Sequence, residues 1–339
     1  MLLGHDKIDI LHLPTPLERL DNLSAELGID LYIKRDDLTG LATGGNKLRK
    51  LEYFLKDALD QGATMLVTVG GAQTNHGRLT AAVAAKYGLK AAIVAEDEYP
   101  GEISANLLLD GMMGCPVYFV KDLETGLRGV IEHYEAQGET VYYIPMGGSN
   151  ELGMLGYYEC AMELTEQAQA LGIPDARILS TLGSMGTYMG LAVGLANEHS
   201  PLSLTGISIA ALPYRDVPAF RQALADYYQK VKAFYGLSLE LGPDDFDIET
   251  VYDHGAYNNP VEEVREAMYL MARKEAIILD PCYTGKTFAA ILAMIREGKI
   301  RQGEKIIFMH TGGYPGIYTK HHRVEFEREL LPYMHIHEF

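Results

Sequence analysis

Cysteine is scarce in this chain. Cys115, Cys160 and Cys282 are the only three among 339 residues, far apart and without paired spacing. This excludes a disulfide framework and a zinc knuckle, and leaves buried apolar thiols in a reducing compartment. Basic charge is also thin, with 29 Lys and Arg against 46 Asp and Glu and a formal net charge of −17. Nucleic acid and anionic membrane both demand basic patches, so neither is expected as a partner. A small anionic ligand would instead need locally gathered cations or helix amino ends. No apolar run reaches the roughly 20 residues of a membrane span. The start, Met1-Leu2-Leu3-Gly4-His5-Asp6-Lys7, lacks the basic-then-apolar order of a signal peptide. A cytoplasmic protein is expected, and no metal site.

With 47% hydrophobic and 22% charged residues, the chain reads as globular and long enough for two modest lobes. Short apolar runs alternate with longer helical stretches. Leu31-Tyr32-Ile33-Lys34, Met65-Leu66-Val67-Thr68-Val69, Ala91-Ala92-Ile93-Val94-Ala95, Val117-Tyr118-Phe119-Val120 and Val141-Tyr142-Tyr143-Ile144 read as strands. Helices are predicted over 79–86 and 127–137. A second series starts at Arg177-Ile178-Leu179-Ser180-Thr181 and Ser203-Leu204-Thr205-Gly206-Ile207 and continues to Lys305-Ile306-Ile307-Phe308-Met309. Continuously apolar strands predict parallel sheets covered on both faces, an α/β arrangement. The breaker cluster Pro145-Met146-Gly147-Gly148-Ser149-Asn150 reads as a crossing between lobes. The terminal His335-Ile336-His337 is too short for a metal site and reads as a tail.

Five segments carry candidate chemistry. In Thr43-Gly44-Gly45-Asn46-Lys47-Leu48-Arg49-Lys50-Leu51-Glu52, a glycine pair precedes Lys47 at a loop-to-helix junction. Partly positive amide ends there favour an uncharged, nucleophilic amine, suited to Schiff-base chemistry. In Gly70-Gly71-Ala72-Gln73-Thr74-Asn75-His76-Gly77-Arg78, Thr74 and Asn75 lie at a helix start, either as caps or at an anionic oxygen. His76 reads as a general base or as a structural hydrogen-bonding histidine. Ser180-Thr181-Leu182-Gly183-Ser184-Met185-Gly186-Thr187 offers small residues and hydroxyls for a phosphate cup, or a tight packing turn; it lacks the Walker A lysine and a Gly-x-Gly-x-x-Gly fingerprint. His310-Thr311-Gly312-Gly313 follows a strand at its carboxyl end, where open α/β sheets place ligands. Tyr283, in Asp280-Pro281-Cys282-Tyr283-Thr284-Gly285-Lys286, is a proton donor or a packed aromatic.

These segments together resemble fold-type II pyridoxal-phosphate enzymes, the tryptophan synthase β-like group. Leu13-Pro14-Thr15-Pro16-Leu17-Glu18-Arg19-Leu20, Ile33-Lys34-Arg35-Asp36-Asp37, Gly-Gly-Asn-Lys, Gln-Thr-Asn-His, Asp-Pro-x-Tyr-Thr-Gly-Lys and His-Thr-Gly-Gly are similar to its 1-aminocyclopropane-1-carboxylate deaminase and D-cysteine desulfhydrase branch. The resemblance implies two open, twisted, mainly parallel sheets in two lobes, residues 1–49 with 158–339 and residues 50–157, with the cofactor between them. It implies pyridoxal 5'-phosphate bound covalently by Lys47, with its phosphate held by Lys50 and by Gly183, Ser184, Met185, Gly186 and Thr187. Asn75 is then expected at the ring oxygen and Thr311 at the ring nitrogen. Thr74, Tyr257 and Tyr283 are expected to act on the substrate, with Asn75, His76 and Thr284 also lining its site. A small amino-acid substrate and a homodimer follow from the same resemblance.

Thr284 stands where ring-opening deaminases of the family carry a glutamate, which favours D-cysteine β-elimination over ring opening. L-cysteate sulfo-lyase activity is the near alternative, 1-aminocyclopropane-1-carboxylate deaminase the next. A non-catalytic pyridoxal-phosphate-binding protein is the alternative from another class. Two residues depart from the family pattern: Thr74 replaces a serine, and Met185 puts a long thioether into the cup.

Overall fold

Runs of fully buried aliphatic residues form the strands, and turns rich in left-handed glycine separate them. The computed structural model describes residues 1–209 and 215–334, so His335 and His337 lie outside the described residues. The chain opens with β1 (Leu17–Arg19), α1 (Asp21–Leu27) and β2 (Asp30–Lys34), then α2 (Lys47–Asp60). Next come β3 (Met65–Gly70), α3 (Asn75–Tyr87), β4 (Lys90–Ala95), α4 (Ala105–Met112), β5 (Val117–Phe119), α5 (Leu123–Glu135) and β6 (Val141–Ile144). After α6 (Glu151–Ala170) follow β7 (Arg177–Leu182), α7 (Gly186–Asn197), β8 (Ser203–Ser208), α8 (Val217–Tyr235), β9 (Ile248–Glu249), α9 (Glu262–Glu275), α10 (Thr284–Arg296), β10 (Lys305–Met309) and α11 (Lys320–Leu330).

The strands form two sheets. One has the order β5-β4-β3-β6, all parallel; the other has the order β1-β2-β10-β7-β8-β9, parallel except for β1. This is the expected α/β architecture, and every strand read from the sequence is present within a residue or two. The smaller sheet uses only residues 65–144. The larger gathers strands from both ends of the chain. Its central strands are apolar on both faces, as buried parallel strands must be. All three cysteines are free and buried. Among the described residues, no helix is long and apolar enough to cross a membrane.

Helix α2 is fixed by an ionic network that ties it to β2 and α6. Arg49 is 1% exposed and forks onto Asp36, with Nε to Oδ2 at 2.8 Å and Nη2 to Oδ1 at 2.9 Å. Its Nη1 reaches Glu163 on α6 at 3.0 Å, and Lys34 pairs with the same glutamate. Tyr157 and Thr15 donate to Asp36 at 2.5 and 2.8 Å. Burial alone would push the Asp36 carboxyl up; Arg49, Lys34 and Tyr157 instead hold it down at about 2. Lys34 and Asp36, part of the sequence pattern quoted above, therefore brace the helix that begins at Lys47. Replacing Asp36 with Ala strands a buried guanidinium, at a cost of about 3–5 kcal/mol. Denaturant unfolding should report that loss; a change below about 1 kcal/mol would mean the network contributes no more than a surface pair.

Candidate active site

Four loops meet where α2 starts. The loop before Lys47 turns through Gly44 at φ +68°, where a Cβ would stand 2.2 Å from the Asp37 carbonyl oxygen. Asn46 joins that loop to two others: its backbone N–H donates to Thr311 O at 3.0 Å, and its amide donates to Thr187 Oγ1 at 3.0 Å. Lys47 Nζ then reaches Gly147 O at 3.0 Å and Ser184 Oγ at 3.4 Å. One turn on, Lys50 Nζ donates to the same Gly147 carbonyl at 3.1 Å and to Ser149 Oγ at 3.4 Å. Gly147 has φ +64°, and a Cβ there would meet Ser184 Oγ at 2.4 Å, so only glycine lets these groups close. The result is a cleft of about 640 Å³ between the carboxyl ends of the two sheets.

Charge is unbalanced at its floor. Burial lowers Lys47 to about 8, and lowers Lys50 well below the usual lysine value with help from the charge on Lys47. Burial, more than the amide ends expected from the sequence, is the cause. No carboxylate among the described residues pairs with either amine. Both lie beside the start of α7, where Met185 provides no side-chain cap and Gly186 N makes a 3.3 Å bond to Ser149 Oγ, so partly positive amides add to the same field. A half-buried amine, a fully buried one and a helix start, with no acid among the described residues between them, give a field that favours an anion.

The remaining expected residues fall as follows. Thr74 caps α3, accepting from Gly77 N at 3.3 Å, and also lines the cleft. Asn75 and His76 line the cleft. Burial and the two lysines push His76 well below the usual histidine value, and neither ring nitrogen has a hydrogen-bond partner among the described residues. It is therefore neutral, and the structural hydrogen-bonding role is not met. Gly183, Ser184, Met185 and Thr187 line the cleft, and Gly186 opens α7 above Lys50. Met185 holds φ +64°, and its half-buried side chain packs on the apolar core while the residue also borders the cleft. Thr311 lines the opposite wall.

Tyr257, more than half exposed, and the half-buried Tyr283 meet edge to face with their hydroxyls hydrogen-bonded, and desolvation raises the Tyr283 phenol above its usual value. They stay protonated. Thr284 requires a correction, because it does not line the cleft. It is fully buried, and its hydroxyl donates to Asp280 Oδ1 at 2.7 Å. Asp280 also accepts from the backbone N–H groups of Cys282, Tyr283 and Thr284, because it caps α10. Thr284 thus acts through the turn that carries Tyr283.

Asn46, Gly147, Asp97, Asn106, Asp280 and Cys282 also line the cleft and were not singled out from the sequence as site residues. The glycine pair 147–148 was a visible signal, read only as a crossing. Asn106 had none.

With this geometry in view, comparison with known proteins is informative. Residues 8–312 match the family model described as pyridoxal-phosphate dependent enzyme. A D-cysteine desulfhydrase of Serratia proteamaculans is 38% identical over 329 residues, covering 94% of this chain and 97% of that one. A putative 1-aminocyclopropane-1-carboxylate deaminase of Pyrococcus abyssi is 35% identical over 318 residues, covering 92% and 93%. The crystal structure of a homologue of that deaminase superposes with a TM-score of 0.84 at 34% identity, covering 98% of both chains.

The lowered Lys47 value has a signed consequence for the ligand-free protein. Between about 8 and 10.5 the unfolded chain binds more protons than the folded one, so stability rises with pH across that window. Measured against ligand-free Lys47→Met, the wild-type chain should gain unfolding free energy as pH climbs from about 8 to 10.5. A difference that stays flat would contradict a buried, counter-ion-free amine.

Proposed function

This chain belongs to the pyridoxal-phosphate dependent enzyme family, and from its site we propose a carbon–sulfur lyase that converts D-cysteine and water to pyruvate, hydrogen sulfide and ammonia. The observation that carries the choice of substrate is the charge of the cleft. Beyond Lys47 and Lys50 at the floor, no cationic side chain among the described residues lines it, while Asp97 and Asp280 do. An amino acid with a thiol side chain needs no further cation. A sulfonate does, which disfavours L-cysteate. The D-cysteine desulfhydrase relative supports the same reading.

The residues fit the cofactor because the floor of the cleft calls for an anion. Lys50, Ser184, Gly186 and Thr187 would hold its phosphate, Asn75 its ring oxygen and Thr311 its ring nitrogen. When bound, pyridoxal phosphate supplies an electron sink conjugated to the substrate α-carbon. Lys47, whose amine is already depressed to about 8, takes the α-proton. Thr74 accepts from Gly77 N, so its hydroxyl proton is left for the substrate carboxylate. The paired phenols of Tyr257 and Tyr283 keep a proton for the departing sulfur. Sulfide leaves far more readily than hydroxide, because its conjugate acid is much stronger.

Ring opening is disfavoured at Thr284. A glutamate there would set a second carboxylate against the buried Asp280 and disturb the Tyr283 turn. The reading extends to a cytoplasmic homodimer with lobes of residues 1–49 with 158–339 and residues 50–157, whose closure excludes water.

Keto-acid release from a panel of both cysteine enantiomers, L-cysteate and 1-aminocyclopropane-1-carboxylate tests this. D-cysteine should be fastest, and Lys47→Ala should lower its turnover at least ~10²–10⁴-fold. Faster sulfite release from L-cysteate would replace the proposal. Thr284→Glu should impair D-cysteine turnover and Thr284→Ser should keep it; equal loss in both would remove the Asp280 argument.

A further inference from the structure

The Asn75 side chain can face the cleft with either its oxygen or its NH2 group, and only the NH2 can donate to an ionised ring oxygen. The choice is made on α4. Asn106 is 1% exposed, and its Nδ2 donates to Gln73 O at 2.8 Å and to Asn75 Oδ1 at 3.0 Å. Gln73 returns the contact: its Oε1 accepts from Asn106 N at 2.9 Å, and its Nε2 donates to Ser104 O at 3.1 Å. Three of these four bonds involve a backbone group that can only donate or only accept, so neither amide can be turned over. A reversed Asn106 would set its oxygen against the Gln73 carbonyl. With Asn106 Nδ2 fixed, Asn75 must offer Oδ1 to it, and the Asn75 NH2 group is left for the cleft. Asp110, one turn along α4, faces Arg78, which donates to Thr43 Oγ1 at 2.8 Å and Gly44 O at 3.2 Å in the loop before Lys47. Helix α4 thus backs both the Asn75 turn and the Lys47 loop.

We propose that Asn106 is a positioning residue that turns Asn75 so that its NH2 group donates to the cofactor's ring oxygen. This rests on the placement of Asn75 given above. A donor at that oxygen favours its ionised form. Losing the donor shifts the bound cofactor towards the un-ionised form, which absorbs at shorter wavelength, and weakens binding.

Absorbance and equilibrium cofactor binding, measured on wild type, Asn106→Ala, Asn75→Ala and the double variant reconstituted with pyridoxal phosphate, test the proposal. Asn106→Ala should move intensity to the shorter-wavelength band and weaken binding about tenfold. Asn75→Ala should do the same, and the double variant should be no worse than Asn75→Ala alone. If the circular dichroism of Asn106→Ala departs from wild type, Asn106→Asp replaces it; its carboxylate keeps the shape but cannot donate to Asn75 Oδ1. A wild-type spectrum and affinity in the Asn106 variant, or full additivity with Asn75→Ala, overturns the proposal. An unchanged spectrum in Asn75→Ala would instead overturn the placement of Asn75. A colourless wild type with no binding would overturn the cofactor reading itself.

Discussion

Three cations, Lys47, Arg49 and Lys50, crowd the first turn of one buried helix, and only Arg49 has acids to pair with. Asp36 and Glu163 satisfy Arg49 completely, and that network fixes where α2 begins and how it is rotated. The same rotation sends Lys47 and Lys50 the other way, towards the Gly147 carbonyl and the start of α7. Burying a charge without a partner is unfavourable enough that the group gives up its proton instead. An amine that releases its proton at about 8, next to a second amine held well below the usual lysine value, is the outcome.

The rest of the cleft is arranged around that pair. Asn46 stitches the Lys47 loop to Thr311 and Thr187, so these three segments are held as one unit with the lysine. The Asn75 turn hangs from α4, and the Tyr283 turn hangs from Asp280. Asn75 and Tyr283 therefore each lean on a buried polar side chain, Asn106 or Asp280, that also borders the cleft. Such supports rigidify a site because a half-satisfied buried network costs more than an apolar one.

Much of this was legible in the sequence. Strand positions followed from continuous apolar runs, and Lys47, Thr74 and Thr311 stood out because glycine and strand ends flank them. What stayed hidden depends on contacts far apart in the chain. Nothing local marks Asn106, whose effect exists only because α4 packs against the Asn75 turn. The family resemblance set Thr284 in the substrate site, where ring-opening deaminases carry a glutamate, yet the first turn of α10 rotates it onto Asp280. Lys34 and Asp36 matched a family pattern without revealing that their part is to hold Arg49. Sequence reading finds groups that chemistry needs; rotation about a helix axis decides which of them arrive.

The central claim is that the two amines are kept short of protons until an anion joins them. Calorimetric titration of the ligand-free protein with sulfate, which does not itself titrate there, tests this at about pH 8, the Lys47 midpoint. Repeating it in buffers of different ionisation heat counts the protons exchanged. The account predicts sulfate binding with net proton uptake, lost in Lys50→Met. Binding without proton uptake, or no dependence on Lys50, would contradict it.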